Sequence, residues 1–571
     1  MATSLPYHEP GIVTILIQTS FLLLLNVANF VLDHSVYCGL LGQIFVGVSW
    51  GTPGAKWLSA EAEQVVVQLG YLGLLLLVYE AKQAQTGGLS TSLGALRANL
   101  WLSSCVAITG ISVPMGLSFV LQKLSGATPL QAFAAGAALC STSLGTTFTV
   151  LRSTGLITSR LGVVLTSAAM MDDVVGLVMV QIISNLGSSG AEISAVTIVR
   201  PLLVSVAFAV FAPLVCVFIA KPFTLWLNAW RMKHPLGHIN QLFNKRGTPW
   251  AIHTSILVGC VTGSTYAGTS NLFAAYIAGA AISWWDSEVS HPTNEKTASE
   301  TSPPIQNQAS RQSETDNTII SEHTASEPKR PDASGMATFE RYYLQPLERI
   351  LKPFFFASIG FSIPITEMFK GSIVWKGLVY TALMMVGKLL CGAWLLRISI
   401  ASLLPTKLLA FVKHPKLQMA HFWGRVHEKP KTSPNSAAST HTAQTQEPSP
   451  ASQSSREAAT QTTPSHSDPA GANPRSIYPA SILGCAMTAR GEIGFLISSI
   501  AESNKIFSSS PTDSGKSSEI FLIVTWAIML CTILGPLSLG LTVRRVKQLQ
   551  QGVEKQGRLV QKDVLGVWGV S

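Results

Sequence analysis

Five charged side chains lie inside long apolar stretches, and they are the residues of this sequence best suited to chemistry. In chain order they are Asp172, Asp173, Lys388, Arg490 and Glu492. A charge at the centre of a bilayer costs about 3 kcal/mol on insertion scales, so such residues are rare without a function. Carboxylates and cations together at this depth are typical of a pathway for ions or protons.

The two aspartates are adjacent in the stretch LTSAAMMDDVVGLVMV. Successive residues of an α-helix point about 100° apart, so one carboxylate can face a neighbouring helix while the other faces a cavity. Burial and a nearby cation act in opposite directions on a carboxylate, and their balance can leave one Asp able to bind either a proton or a metal cation. Lys388 lies too deep to reach the membrane surface easily, and its expected partner is one of these aspartates. An ion pair that only locks helices together is the alternative.

Two apolar stretches are interrupted by polar residues. In AAGAALCSTSLGTTFTVL, Thr142 and Ser143 belong to a run of hydroxyl residues around Gly145, and hydroxyls and freed carbonyls are hard oxygen ligands for small cations. In CAMTARGEIGFLI, Arg490 and Glu492 need protein or water around them. We predict two broken helices that cross at mid-membrane. Ordinary Ser/Thr packing and a tilted helix with an Arg–Glu pair are the alternatives.

Composition places these stretches in a polytopic membrane protein. Of the 571 residues, 47% are hydrophobic and 12% are charged, against about 25% charged in soluble domains, and the mean hydropathy is +0.35. These values exclude an ordinary cytosolic enzyme and a wholly disordered chain. We predict an all-α protein with about thirteen transmembrane helices, at residues 11–31, 37–50, 63–80, 99–121, 131–151, 161–183, 196–219, 251–268, 270–285, 350–369, 374–396, 479–501 and 519–542. The two broken helices, the fifth and the twelfth, then run in opposite directions, as an inverted repeat requires.

The predicted spans fall into blocks separated by polar segments. Residues rich in Ser, Thr, Pro, Gln, Asn and Glu cannot bury enough apolar surface to fold, which predicts disordered loops. The order is spans one to nine in 1–285, a disordered loop in 286–345, spans ten and eleven in 346–404, a mostly disordered loop in 405–478, spans twelve and thirteen in 479–542, and a basic tail in 543–571.

The two loops and the tail follow the ninth, eleventh and thirteenth predicted spans. Each is therefore separated from the N-terminus by an odd number of spans, so all three lie on the side of the membrane opposite the N-terminus. With the N-terminus outside, that side is cytoplasmic, and Lys and Arg collected there account for the net charge of +10. Without an aromatic-basic module or zinc spacing, we expect no nucleic-acid partner. The membrane is the plasma membrane or an organellar one. The eight cysteines lack ligand spacing and are predicted to be small packing residues. His253 is predicted to be a packing or hydrogen-bonding residue, and Glu80 is predicted to lie at the inner interface.

The most specific motifs are MMDDVVGLV, GKLLCG and ARGEIGFLI, and they are accompanied by LLGQIFVGVSWGTP, YLGLLLLVYEA, SNLFAAYIAGAAI and LKPFFFASIGFSI. On these motifs the chain resembles the monovalent cation:proton antiporter superfamily, in the branch that contains bacterial sodium/proton and potassium/proton antiporters and fungal relatives. The resemblance extends over residues 37–285 and 343–542.

The resemblance implies roles for individual residues. Asp173 matches the carboxylate that binds the transported cation or a proton, and Asp172 matches the one bridged to a lysine, here Lys388. Thr142 and Ser143 match the unwound part of the first broken helix, although the Asp that many relatives carry there is missing. Arg490 and Glu492 match a polar pair of the second, with a structural or gating role. The double-Asp form with Lys resembles the electrogenic members, and the resemblance further implies a homodimer.

We therefore predict a secondary antiporter, and not an enzyme, that exchanges Na⁺ or K⁺ for protons by alternating access without a cofactor. Cation and proton compete for Asp173. An organic-anion/sodium symporter of similar crossed-helix architecture is the alternative. An intramembrane aspartyl protease is disfavoured because its two aspartates come from separate helices, and a non-transporting scaffold gives no reason for charges at mid-membrane.

Overall fold

The computed structural model describes most of the predicted membrane region. The described residues are 9–36, 38–88, 93–143, 151, 156, 159–188, 195–234, 237–243, 245, 247–289, 334–396, 477–508, 517–555, 565 and 568. They belong to one compact unit, Met1–Leu396 together with Ser476–Ser571. Within these ranges the regular structure is helical and no β-strand is present.

Twenty α-helices occur in the described ranges. They are α1 (Ile12–Val36), α2 (Gly39–Trp50), α3 (Ala60–Gly88), α4 (Leu93–Ser118), α5 (Leu121–Ser125), α6 (Pro129–Ala138), α7 (Arg160–Ser188), α8 (Ala195–Val215), α9 (Lys221–Lys233), α10 (His238–Phe243), α11 (Thr248–Ala267), α12 (Asn271–Glu288), α13 (Gly335–Tyr342), α14 (Leu344–Pro346), α15 (Lys352–Phe361), α16 (Ile365–Met368), α17 (Gly371–Leu389), α18 (Tyr478–Thr488), α19 (Glu492–Ser503) and α20 (Glu519–Lys555). A π-helical turn, Cys216–Ala220, continues α8, and a second one, Leu347–Leu351, precedes α15. A 3₁₀ segment, Leu390–Leu395, continues α17.

The chain is an all-helical polytopic membrane protein, as its composition predicts. Eight helical segments of the described ranges are long and apolar enough to cross a membrane, and each coincides with a predicted span. The other five predicted spans coincide with α2, α6, α11, α12 and α15, which are shorter or less apolar. The total of thirteen spans therefore stays a prediction.

The helices pack in two groups. The core bundle consists of α4, α6, α7, α17, α18, α19 and α20, and the scaffold contains α1, α2, α3, α11, α12 and α15. In the scaffold, α2 and α15 approach each other closely at Gly47 and Gly360, where a Cβ atom would overlap the backbone of the facing helix. The two groups meet where α7 contacts α12, where α19 contacts α15 and where α20 contacts α1.

The disorder predicted for residues 286–345 is wrong at both ends of that segment. Helix α12 continues to Glu288, and Gly335–Tyr342 forms α13. The Ser334 hydroxyl caps α13 by accepting a hydrogen bond from Ala337 N at 3.1 Å, and Phe339 is buried with its ring centroid 5.9 Å from that of Tyr79. The cap and the burial of Phe339 thus stabilise a helix within a stretch whose average composition is polar. Residues 290–333 and 397–476, which hold the rest of both predicted loops, lie outside the described residues.

Candidate ion-binding site

The first predicted broken helix begins as α6, which ends before the polar run. Thr128 and Gln131 form a capping box, with Thr128 N donating to Gln131 Oε1 at 2.8 Å and Gln131 N donating to Thr128 Oγ1 at 3.3 Å. The helix ends at Ala138, and residues 139–143 continue without helical structure. Residues 144–150 of the predicted broken helix lie outside the described residues, so one side of this interruption is observed.

The second predicted broken helix is interrupted where the sequence indicates. Helix α18 ends at Thr488 and α19 begins at Glu492, with three non-helical residues between them. Ser143 N donates to Ala489 O at 2.9 Å, which joins the two interruptions directly. Gly491 permits this approach, because a Cβ atom there would lie 2.6 Å from Ser143 Oγ. Residues 139–143 and 489–491 are called the crossing below.

Asp172 and Lys388 form an ion pair inside the core bundle. Lys388 Nζ lies 2.7 Å from Asp172 Oδ2, and both side chains are 0% exposed. The ammonium also donates to Cys140 O at 2.6 Å and to Thr142 Oγ1 at 3.0 Å, and the Thr142 hydroxyl in turn donates to Asp172 Oδ2 at 2.9 Å. This network connects α7, α17 and the crossing, and such hydrogen bonds are what make a buried ion pair tolerable.

Asp173 has different surroundings from its neighbour. Its side chain is partly exposed, and the Ser141 hydroxyl donates to Asp173 Oδ1 at 3.0 Å. Glu492, the first residue of α19, is also partly exposed and lies close enough to act electrostatically on Asp173. Tyr276 of the scaffold helix α12 lies within the same range of Asp173. The carboxylates of Asp173 and Glu492 and the hydroxyl of Ser141 therefore lie near the boundary between core bundle and scaffold. Hard cations prefer such oxygen groups as ligands.

Arg490 supports this arrangement from inside the crossing. The side chain is fully buried, and its Nη1 donates to Ser141 O at 2.6 Å, which positions the residue whose hydroxyl contacts Asp173. Thr532 Oγ1 donates to Arg490 O at 2.9 Å. Among the described residues, Arg490 Nε and Nη2 have no hydrogen-bond partner, nor does Asp172 Oδ1.

Ser141 belongs to the hydroxyl run predicted from the sequence but was not assigned to the site, and Lys352 was not singled out at all. Ser141 stands next to Thr142 in the same hydroxyl run, and that adjacency was the available signal. Lys352, at the start of the scaffold helix α15, acts electrostatically on both Glu492 and Glu80. It lies at the end of an apolar stretch, where lysines are common, so the sequence carried no signal for it. Its effect on Glu492 arises from the contact of α15 with α19, which only the fold reveals.

His253 and half of the cysteines are buried among other side chains. His253 is buried, and its ring lies edge-on to Trp285 with the centroids 6.2 Å apart. All eight cysteines are free thiols, and four of them, Cys38, Cys140, Cys391 and Cys531, are buried.

The first half of the chain matches a known protein family. Residues 24–303 match the family described as sodium/hydrogen exchanger, transmembrane. The first half of the chain is similar to sodium/hydrogen exchangers. This exchanger-like region contains both aspartates and the first interruption, whereas Lys388 and the second interruption lie beyond it. The match is to a family of transporters and not of enzymes.

Three curated relatives agree with the exchanger match. The chain is 30% identical over 271 residues to the probable Na⁺/H⁺ antiporter GerT of Bacillus cereus, which is 46% of this chain and 64% of the relative. It is 30% identical over 174 residues to the high-affinity Na⁺/H⁺ antiporter NhaS3 of Synechocystis, 30% of this chain and 36% of the relative. It is 31% identical over 150 residues to the Na⁺/H⁺-K⁺ antiporter GerN of Bacillus cereus, 26% of this chain and 37% of the relative. The matches therefore span less than two thirds of each relative.

Proposed function

We propose that the chain is a secondary antiporter that exchanges Na⁺ or K⁺ for protons, with Asp173 as the carboxylate that binds cation and proton in turn. The carrying observation is the division between the two aspartates. Asp172 is paired with Lys388 in the interior, while Asp173 is partly exposed and contacts a hydroxyl rather than a cation. The names of the three relatives support the same activity.

The charges of the core bundle support a monovalent cargo. Three carboxylates, Asp172, Asp173 and Glu492, lie in the site with two cations, Lys388 and Arg490. When all five are ionised their charges sum to −1, since three negative charges oppose two positive ones. One monovalent cation or one proton brings the sum to zero. A neutral site costs less to move through a layer of low dielectric than a charged one, so one carboxylate shared by two cargoes couples their transport.

The mechanism is alternating access between the two helix groups. Asp173 and Glu492 lie on core helices, and Tyr276 and Lys352 approach them from the scaffold. Movement of the core bundle against the scaffold would therefore open this boundary to one side of the membrane and then to the other. Helix α4 packs within the core bundle, and we infer that it would move with that bundle.

The proposal includes the orientation of the protein in the membrane and its oligomeric state. Both long loops and the tail are cytoplasmic, in the plasma membrane or an organellar membrane, and the functional unit is a homodimer. The stacking of Arg160 on Trp568 supports a common side for the tail and the connection that precedes α7.

Purified protein in liposomes tests the proposal. With a pH-sensitive dye inside, an imposed gradient of Na⁺, K⁺ or Li⁺ should drive proton movement in the opposite direction. Proton flux that no alkali cation stimulates, together with uptake of an organic anion that requires Na⁺, would replace the antiporter by the symporter.

A further inference from the structure

A short apolar segment, VLGVWGV, occupies residues 564–570 after a stretch of the tail rich in charged and amide side chains. The structure describes two residues of this segment, Leu565 and Trp568, and both are buried, at 3% and 7% exposed. Trp568 N donates to Leu565 O at 3.2 Å, which closes a turn between them. Burial of a tryptophan and a leucine stabilises a contact with the rest of the protein by removing apolar area from water.

Arg160, the first residue of α7, contacts Trp568. Its guanidinium lies over the indole ring, with Cζ 4.8 Å from the ring centroid, a cation–π geometry. Arg160 Nε donates to Asn99 Oδ1 at 2.9 Å, so the same guanidinium also joins α7 to α4. Gly162 N donates to Ser159 Oγ at 3.2 Å, which caps the start of α7.

We propose that the start of α7 is a docking site and that its occupant is the tail of the same chain, through the buried residues Leu565 and Trp568, with Trp568 held on Arg160. Helix α20 ends at Lys555, and the next described residues of the chain are Leu565 and Trp568. This contact of Trp568 with Arg160, called the strap below, ties the tail that follows α20 to the helix that carries Asp172 and Asp173. The contact stands on the geometry alone and does not rest on the proposed antiport.

A double-mutant cycle in detergent tests the contact. Arg160→Gln and Trp568→Ala should each lower the thermal midpoint by about 2 °C or more, and the double variant should lose less than the sum of the two single losses, because the interaction between these residues is removed only once. Trp568→Phe, which keeps an aromatic face, should lose less than Trp568→Ala. The matched control pairs Trp568→Ala with Arg231→Gln, whose guanidinium lies over Phe243 at 5.1 Å, and their effects should add. Additive losses for Arg160→Gln and Trp568→Ala would overturn the docking.

A second readout tests whether the strap supports the transport helix. Arg160 and Asp173 are thirteen residues apart on α7, a separation of about 20 Å along the axis. Trp568→Ala should therefore lower the maximal exchange rate several-fold and leave the apparent cation affinity unchanged. An unchanged rate, or a shifted affinity, would contradict this role, whereas a wild-type chain without any exchange would refute the proposed function and leave the cycle result intact.

Discussion

Lys388 donates a hydrogen bond of 2.7 Å to Asp172, and the carboxylate of the very next residue, Asp173, turns to the Ser141 hydroxyl instead. A rotation of about 100° between successive helical residues is sufficient for this separation. Two chemically identical side chains therefore meet a cation in one case and a partly exposed boundary in the other. One helix thus supplies both a carboxylate fixed in an ion pair, Asp172, and a carboxylate without a cationic partner among the described residues, Asp173.

Removal of Lys388 should destabilise the protein strongly. Lys388→Met leaves Asp172 buried without its cation, and breaking one partner of a buried pair costs about 3 to 5 kcal/mol of unfolding free energy. The double variant Lys388→Met with Asp172→Asn should recover most of that loss, because no uncompensated charge remains. Thermal unfolding in detergent measures both.

The exposed pair of Lys376 and Glu519 is the matched control for this prediction. Its N–O distance is 2.5 Å, but its side chains are 25% and 42% exposed, so Lys376→Met should cost less than about 1 kcal/mol. Equal losses for Lys376→Met and Lys388→Met would contradict the importance of burial.

Substitution of Gly491 should disturb the crossing. A Cβ atom at this position would lie 2.6 Å from Ser143 Oγ, so Gly491→Ala must push the two interruptions apart. We expect at least a tenfold loss of exchange, measured as cation-stimulated proton flux. Gly259→Ala is the control, since a Cβ atom there has nothing within 4 Å. Exchange at the wild-type rate in Gly491→Ala would show that the crossing tolerates separation.

Glu492 should contribute to cation affinity without being indispensable. Glu492→Gln removes a negative charge that acts on the Asp173 region, and the apparent cation affinity should fall about tenfold, which corresponds to about 1.4 kcal/mol, while maximal exchange persists. Flux at varied Na⁺ concentration separates affinity from rate. Complete loss of exchange would give Glu492 the role assigned here to Asp173.

Lys352 should act in the opposite direction. Its positive charge reaches Glu492 from the scaffold, so Lys352→Gln should raise the apparent cation affinity several-fold, and Lys352→Arg should resemble the wild type. The same titration measures the change. A lower affinity in Lys352→Gln would mean that this lysine supports the site by structure rather than by charge.

The sequence predicted those residues of the site whose type alone is unfavourable in an apolar stretch. Asp172, Lys388 and Arg490 are conspicuous because a charge in an apolar stretch is expensive wherever it points, and the Arg-Gly-Glu interruption is visible because glycine and charge coincide. Ser141 was visible only as one of several similar hydroxyls in its run and Lys352 not at all, and their roles arise from contacts between helices far apart in the chain. The helix α13 was missed for the same reason, since Phe339 is buried by residues from distant segments such as Tyr79.

The central claim is that Asp173 binds cation and proton in turn, and Asp173→Asn in liposomes tests it most directly. The asparagine preserves the hydrogen bond with Ser141 but removes the exchangeable charge, so folded, inserted protein should show no Na⁺- or K⁺-driven proton flux. Glu519→Gln, which removes an exposed carboxylate of the core bundle, should exchange at the wild-type rate. Full cation–proton exchange in the asparagine variant would contradict the account.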